Sequence, residues 1–384
     1  LLSRRAFSAR SILKRFKEGT KMASTKSKLI KKSTRSDLIT YAMVLVVFAV
    51  VEILKSTGNI SSLLRGLLVP LCMYSILAVS LNLVVGYLGE LSLGHAGFMC
   101  VGAYASSIFS VVTQNTLTNA WIRFPLAILV GGLCAAIFGV LIGIPVLRLK
   151  GDYLAIVTLA FGEIIKNILG TIYVGYDSHG IHASFTSQSS LNLEADGTVL
   201  INGPLGITGT PNDSTFVIGI VLLLITLFVI LNFIHSRAGR AVMSLRDNRI
   251  AAESVGISVT KYKLIAFSLS AFFAGIAGVL YSHNLSVLAA TSKNFGYNMS
   301  IMILVFVVLG GIGNIRGSII AACVLTALPE VLRGLRDYRM LIYAVVLIVM
   351  MIMTSSPKAI AFWETHSIKK FFKKGNGKTK KEAR

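Results

Sequence analysis

The sequence predicts an all-α polytopic integral membrane protein, and three observations lead to this fold class. Hydrophobic residues make up 54% of the 384 residues, charged residues make up only 14%, and the mean hydropathy is +0.74. Soluble proteins carry about 25% charged residues. Apolar runs also recur along the chain, several of them near the length of about 20 residues that crosses a bilayer. Together these features exclude a soluble multidomain protein, a disordered chain and a secreted disulfide scaffold.

The apolar runs predict eight to ten transmembrane helices, because several runs are shorter than a perpendicular span of about 20 residues. Candidate helices cover residues 39–54, 67–85, 91–112, 124–147, 153–174, 216–234, 264–281, 299–309, 318–332 and 340–353. Glycine-rich stretches interrupt this pattern at residues 86–98 and 310–317. Some helices are therefore expected to be broken or re-entrant.

The distribution of charge predicts how the chain is oriented in the cell membrane. Residues 1–36 carry twelve Lys and Arg against one acid, and residues 358–384 carry nine against two. Segment 235–263 has six Lys and Arg, whereas segment 175–213 has none and four acids. The positive-inside rule places both tails and segment 235–263 in the cytoplasm and segment 175–213 outside. The predicted domains are thus two basic cytoplasmic tails around a transmembrane domain, residues 37–357.

The net charge of +22 does not indicate a nucleic-acid partner. Most of the excess lies in tails that flank membrane spans and contain no basic stretch interleaved with aromatic residues. Such tails favour anionic lipid headgroups. Membrane lipid is therefore the expected partner of the basic charge, and no nucleic acid is expected.

No catalytic set, cofactor site or metal site is predicted. The only Gly-Lys-Thr, Gly377–Thr379, lacks the earlier glycine of a phosphate-binding loop, since Phe372 occupies that position. This chain is therefore not expected to hydrolyse ATP. His179 and His182 form a weak metal pattern, and the four cysteines lie in apolar runs without metal-binding spacing.

Polar residues within apolar runs are candidates for a translocation pathway. An acid at a helix centre costs about 2.5–3.5 kcal/mol on insertion scales, so it normally faces a cavity or a partner. For Glu163, three interpretations compete: it lines a polar path, it pairs with Lys166 one turn later, or it lies near an interface. Broken helices often mark translocation sites. The predicted pathway residues are Asn82, Ser92, Gly94, His95 and Glu163.

Residues 244–256 are interpreted as one short cytoplasmic helix. Ser244 and Asp247 match a capping box, and Gly256 suits the position just after the helix end. Ala251, Ala252 and Val255 would form a small apolar face beside charged residues. Such a face fits docking into the groove of another protein, and the alternative is a helix lying on the headgroups.

Residues 82–98, NLVVGYLGELSLGHAGF, resemble the signature of branched-chain amino acid ABC transporter permeases. Residues 147–164, LRLKGDYLAIVTLAFGEI, resemble the LivM-type subunit rather than its LivH-type partner. Arg246–Asp247–Asn248 followed by Ala251–Ala252 matches the same type. The resemblance extends from about residue 39 to residue 357.

This resemblance implies an importer for leucine, isoleucine and valine in which the chain forms half of the pathway. The implied partners are a second permease subunit of the LivH type, two cytoplasmic ABC ATPases and an extracytoplasmic solute-binding protein. The family's coupling segment to the ATPase corresponds here to Arg246, Asp247, Asn248, Ala251, Ala252, Glu253 and Gly256. Related permeases carry urea or short amides. An ion-coupled secondary transporter, a membrane-embedded enzyme and a channel are the rival classes.

Overall fold

The computed structural model describes residues 37–57, 62–114, 116–149, 151–177, 179–193, 197–332 and 338–355. Both predicted basic tails, residues 1–36 and 358–384, lie outside the described residues. The chain divides into two units, residues 1–60 and 61–384. In the first unit, one apolar helix, α1, spans Asp37–Ser56.

Helices dominate the described part of the second unit. They are α2 (Ser62–Asn82), α3 (His95–Val112), α4 (Ala120–Val146), α5 (Asp152–Thr171), α6 (Phe216–His235), α7 (Arg237–Asp247), α8 (Arg249–Ser254), α9 (Val259–Ser282), α10 (Ser292–Phe295), α11 (Tyr297–Gly310), α12 (Ile315–Val331) and α13 (Arg339–Ser355). In the described residues, eight stretches are long and apolar enough to cross a membrane: α1, α2 with its continuation, α3, α4, α5, α6, α9 and Ser292–Gly310. The predicted all-α polytopic class is confirmed.

Residues 175–213, the segment predicted to lie on the external side, contribute strands to two small antiparallel sheets. Strands β1 (Tyr173–Asp177), β2 (Gly180–Ser184) and β3 (Thr198–Asn202) form one sheet in the order β2-β1-β3. Strand β4 (Ile207–Thr208) pairs with β5 (Val287–Leu288), which follows α9. The sheets thus mark one end of this unit, the sheet end. The α7 and α8 helices mark the other, the α7–α8 end.

Close packing of small residues joins α9 to its neighbours α3 and α4. A Cβ atom placed on Gly139 of α4 would lie 2.7 Å from the Ala271 Cβ atom of α9. A Cβ atom on Gly102 of α3 would overlap the backbone of Gly275 on α9. The spacing of Gly139 with Gly143, and of Ala271 with Gly275, predicts such helix packing, and the structure confirms it.

A buried histidine lies at the sheet end, directly after α9. The His283 Nδ1 atom is 3.0 Å from the carbonyl oxygen of Val279, to which it donates, and Nε2 is 2.8 Å from the Ser110 hydroxyl. Burial lowers the pKa of His283 to about 4, although Asp213 opposes this shift. The imidazole is therefore neutral near pH 7, and its two nitrogens join α3 to the end of α9.

The same substitution should have opposite effects at two helical glycines. Gly275→Ala should destabilise the fold by about 1–3 kcal/mol through overpacking, because the new methyl group would lie 2.5 Å from the Ala135 Cβ atom. Gly66→Ala, on an exposed position of α2 with nothing within 4 Å, should stabilise the helix by up to about 1 kcal/mol. Thermal unfolding in detergent measures both, and an equal stability of the two variants would contradict the packing argument.

Candidate functional site

The glycine-rich stretch predicted to interrupt a helix does so between α2 and α3. α2 continues beyond Asn82 as a π-helical turn, Leu83–Leu88. Gly89 ends this turn with φ +77°, a left-handed conformation that glycine adopts without strain. α3 begins only at His95. We call residues 83–94 the helix break. The prediction of a broken helix is confirmed.

Asn82 fixes one side of the helix break through both atoms of its amide. Its Oδ1 atom accepts a hydrogen bond from the Gly313 N–H at 2.9 Å, and its Nδ2 atom donates to the Ser318 hydroxyl at 2.8 Å. Gly86 must lack a side chain, because a Cβ atom there would overlap Asn82 Oδ1 and the Gly313 backbone. The two glycine-rich stretches of the sequence therefore meet at Asn82, which is fully buried.

His95 is buried at the first turn of α3. Its Nε2 atom lies 2.8 Å from the Ser80 hydroxyl, and the Ser80 carbonyl accepts a hydrogen bond from Ser270 of α9. The ring also packs edge-on against Phe98. His95 is thus held by α2, and α2 is held by α9. Its environment is that of a satisfied polar side chain between packed helices.

The end of the helix break contacts α5. The Leu93 N–H donates to the Thr158 hydroxyl at 3.1 Å, and Gly94 lies where a Cβ atom would overlap the Thr158 carbonyl. Ser92 differs from its neighbours, because its buried hydroxyl has no hydrogen-bond partner in the described structure. An unsatisfied buried hydroxyl costs about 1–3 kcal/mol. Within the described helix break, the Ser92 hydroxyl is therefore a buried side-chain group that is free to hydrogen-bond a substrate or water.

Glu163 lies more than halfway along α5 and has two kinds of partner. One carboxylate oxygen accepts a hydrogen bond from Lys166, and the other accepts one from the backbone N–H of Tyr297 at 2.7 Å. Lys166 also donates to the Ser292 hydroxyl at 3.0 Å. The carboxylate thus caps the first turn of α11, where negative charge is favourable. Of the three interpretations of Glu163, the structure shows the pairing with Lys166, and its place on a translocation pathway stays a prediction.

The structure brings most of the predicted pathway residues together. Gly97 of α3 packs directly on Gly162 of α5, since a Cβ atom on Gly97 would lie 2.7 Å from the Gly162 Cα atom. Gly94, His95 and Glu163 therefore lie on adjoining turns of α3 and α5. An apolar groove of about 710 Å³, lined by α4, α6 and α9, contains none of the predicted pathway residues.

The predicted coupling segment consists of two helices, so the prediction of one helix capped by Ser244 and Asp247 is wrong. α7 ends at Asp247 and α8 begins at Arg249. Between them Asn248 is extended, and its side-chain oxygen accepts a hydrogen bond from the Ala251 N–H at 3.0 Å. Ser244 lies inside α7, where its hydroxyl bonds a backbone carbonyl instead of capping a helix.

Gly256 and Glu253 behave as their positions in the sequence predict. Gly256 follows α8 with φ +84°, which confirms its predicted place just after the helix end. Glu253 accepts a hydrogen bond from Arg249 one turn earlier at 3.2 Å. Both charged side chains are half-exposed, so they are accessible at the α7–α8 end.

The predicted apolar face of Ala251, Ala252 and Val255 does not exist as one surface. Ala252 is only 4% exposed and packs in a cluster with Leu245 of α7 and Val259 of α9. Ala251 is exposed on the opposite side of α8. The large exposed apolar side chains of this segment are instead Ile250, at 81%, and Val255, at 75%. The sequence pattern misplaces Ala252 because its burial depends on contacts with α7 and α9.

Two polar contacts join the α7–α8 end to the helix break. Arg246 of α7 donates from its guanidinium group to the Gly86 carbonyl at 2.8 Å. Lys263 of α9 forms an ion pair with Glu90. Lys263 is not among the residues predicted from the sequence. Its pairing with Glu90 could have been suspected because a lysine at the edge of an apolar run and an acid inside a glycine-rich stretch both need a partner.

Comparison with known proteins supports a single family. The profile described as branched-chain amino acid transport system / permease component matches residues 63–354. The chain is 36% identical over 288 residues to the high-affinity branched-chain amino acid transport system permease protein LivM of Salmonella typhimurium and to that of Escherichia coli. These matches cover 73% of this chain, which spans 66% of the length of each relative.

A sugar permease is also related. The ribose import permease protein RbsC of Escherichia coli is 28% identical over 322 residues, which are 82% of this chain and 92% of that protein. No solved structure matches the chain. The family profile covers most of the described membrane helices, including the helix break and the α7–α8 end. The chain is a multi-pass membrane protein that belongs to the family of permease components of branched-chain amino acid transport systems.

Proposed function

We propose that this protein is the transmembrane permease subunit of an ATP-binding cassette importer for leucine, isoleucine and valine. The observation that carries the proposal is the 36% identity over 288 residues to two LivM permeases. The proposed partners are a second, LivH-type permease subunit, two cytoplasmic ATPases and an extracytoplasmic solute-binding protein. The chain would form half of the translocation pathway, and its partners would hydrolyse ATP.

A reconstitution experiment tests this proposal and its rivals. Liposomes containing the chain, its second permease, its ATPases and its binding protein should accumulate labelled leucine only when ATP is supplied. Uptake by the purified chain alone would indicate an ion-coupled secondary transporter. A ribose import permease is among the relatives, so ribose is tested as a competitor. If the proposal is correct, excess ribose should not reduce leucine uptake. Competition by urea or a short amide would favour the alternative substrates.

We infer the orientation of the chain from its charges. The segment with the two sheets carries no Lys or Arg in residues 175–213, and the segment containing α7 and α8 carries six in residues 235–263. The positive-inside rule then places the sheet end outside and the α7–α8 end in the cytoplasm. The two tails are proposed to be cytoplasmic for the same reason.

A cysteine placed at an exposed position of the sheet end tests this orientation. Ser189 is exposed in a short 3₁₀ turn of the segment between β2 and β3. Ser189→Cys should react with a membrane-impermeant thiol reagent in intact cells, whereas Ser254→Cys, exposed at the end of α8, should react only after lysis. The reverse pattern of labelling would show that the proposed orientation is wrong.

The α7–α8 end offers the surface proposed to contact the ATPase. Ile250 and Val255 are 81% and 75% exposed, and Arg249 and Glu253 lie beside them. Exposed apolar side chains with a charged rim are the usual anatomy of a protein interface. The alternative is a helix that lies on the headgroups.

Charged substitutions on this surface distinguish the two interpretations. Ile250→Asp and Val255→Asp should reduce recovery of the co-purified ATPase by about tenfold or more, because an interface hot spot contributes about 2 kcal/mol. The permease itself should keep its abundance, since both side chains are exposed. Val287→Asp, on an exposed position of β5 at the sheet end, is the matched control. Normal ATPase recovery with both α8 variants would favour the headgroup interpretation.

Glu163 is proposed to border the translocation pathway, and a pair of variants tests this role against simple pairing with Lys166. Glu163→Gln keeps an oxygen that can accept from Tyr297 but leaves the Lys166 charge unpaired. Glu163→Gln combined with Lys166→Met removes both charges. Leucine uptake should fall in both proteins while the complex still assembles. Recovery of uptake in the double variant would reduce Glu163 to a structural partner of Lys166.

A further inference from the structure

A shared apolar cluster packs α7, α8 and the start of α9 against one another. Leu245 of α7, Ala252 of α8 and Val259 of α9 are each less than 10% exposed and form one apolar cluster. Ile257 and Tyr262 pack against this cluster from the connection and from α9. We call these elements, α7, α8 and residues 257–263, the coupling block. A force on α8 would therefore reach both α7 and the first turns of α9.

Arg246 ties the coupling block to the end of the π-helical turn. Its guanidinium group donates to the Gly86 carbonyl, one of the last four carbonyls of the helix, which have no partner within the helix. A cation at a helix C-terminus is also favourable for the helix dipole. The fit is close, because a Cβ atom on Gly89 would lie 2.5 Å from Arg246 Cγ. Arg246 therefore contacts the helix break through Nη1, while its Nε and Nη2 atoms bind Asp247 and 39% of the side chain stays exposed.

Lys263 ties the coupling block to the residue after Gly89. Its ammonium group pairs with the Glu90 carboxylate, and the two side chains are only 6% and 15% exposed. Lys263 lies in the second turn of α9, where the dipole disfavours a cation. A buried ion pair is seldom more stable than a well-packed apolar pair. The value of this pair is therefore one of position, since it fixes Glu90 against α9.

The helix break is also attached to other elements. At its first end, beside Gly86, Asn82 joins it to the connection between α11 and α12. At its far end, Leu93 joins it to Thr158 of α5. Beyond Leu93, α3 begins at His95, next to the turn of α5 that carries Glu163. A displacement of Gly86 and Glu90 would thus be passed along the break to Ser92, Gly94 and the start of α3 at His95, which are three of the five candidate pathway residues.

We propose that Arg246 and Lys263 are positioning residues that transmit movement of the coupling block to the helix break through the Gly86 carbonyl and Glu90. Arg246 then acts inside the permease and does not serve as a contact for the ATPase. This inference rests on the proposed function, because it assumes that an ATPase moves α8. It adds the two contacts by which that movement reaches the pathway.

The test removes each contact without leaving a buried charge unpaired. Glu90→Leu with Lys263→Met replaces the ion pair by an apolar pair, and Glu90→Lys with Lys263→Glu restores it in reverse. Arg246→Gln removes the contact with Gly86. Lys261→Met and Arg240→Gln are matched controls, since both side chains are exposed on the same helices, α9 and α7. Each protein is reconstituted with its proposed partners in liposomes, and labelled leucine transported per ATP hydrolysed is measured.

We expect the apolar pair and Arg246→Gln to bind the ATPase and hydrolyse ATP as the unaltered complex does. Leucine transported per ATP should fall by about fivefold or more, the lower range of typical coupling free energies. The reversed pair should regain most of this loss, and both controls should match the unaltered protein. An unchanged ratio in the apolar pair or in Arg246→Gln, or no recovery in the reversed pair, would overturn the proposal.

Failure of the proposed function can be distinguished from failure of the positioning role of Arg246 and Lys263. If the unaltered complex neither binds an ATPase nor accumulates leucine with ATP, the proposed function is wrong and this inference is lost with it. If the unaltered complex works and the variants work equally well, only the inference is wrong. Hydrogen exchange of the full chain in detergent gives a second measurement. Amides of residues 89–93 should exchange faster in the apolar pair and in Arg246→Gln, and unchanged rates would overturn the proposal even where a variant assembles poorly.

Discussion

The fold depends on satisfying the backbone polar groups of a helix that is interrupted among membrane helices. Lipid offers no hydrogen bonds, so non-helical backbone is tolerated only where other protein groups supply them. Two side chains meet this requirement for the helix break: Arg246 binds the carbonyl of Gly86, and Thr158 binds the N–H of Leu93. Directly before the break, Asn82 binds the backbone of Gly313 in the second glycine-rich stretch. These side chains come from α7, α5 and α2, so the two interruptions link three helices.

The same constraint explains where the small residues occur. Backbone groups can be reached by polar side chains only if helices approach closely, and close approach requires glycine at the contact. Gly86 admits Asn82 and Gly313, Gly94 admits the Thr158 carbonyl, and Gly102 admits the backbone of α9. Buried charges obey a similar rule, because Lys166 and Lys263 each lie against a carboxylate. Most buried polar side chains of the described membrane helices thus have a partner on the same helix or on a neighbouring one, and Ser92, Ser107 and Thr326 are exceptions.

This arrangement gives the proposed transport function a physical route. Gly94, His95 and Glu163 lie where the end of the helix break and α3 adjoin α5, and the exposed side chains of α8 lie on the coupling block. The helix break contacts the coupling block at Arg246 and α5 at Thr158. Under the proposed function, in which partner subunits hydrolyse ATP, the permease needs such a connection to use the energy of a partner. The polar contacts at Gly86 and Glu90 provide one within a single chain.

Most membrane helices, the two glycine-rich interruptions and the asymmetry of charge could be predicted from the sequence, because each depends on residues adjacent in the chain. The sequence also identified the small faces of α4 and α9 and the turn at Gly256, which follow from spacing and from glycine's freedom at positive φ. Only the tertiary structure decided which side of α8 is buried, since Ala252 faces inward through contacts with α7 and α9. It likewise decided that Lys263 pairs with Glu90, 173 residues away. The spacing of residues along the chain reports local helix preference, whereas contacts between residues far apart in the sequence form only when the helices pack together.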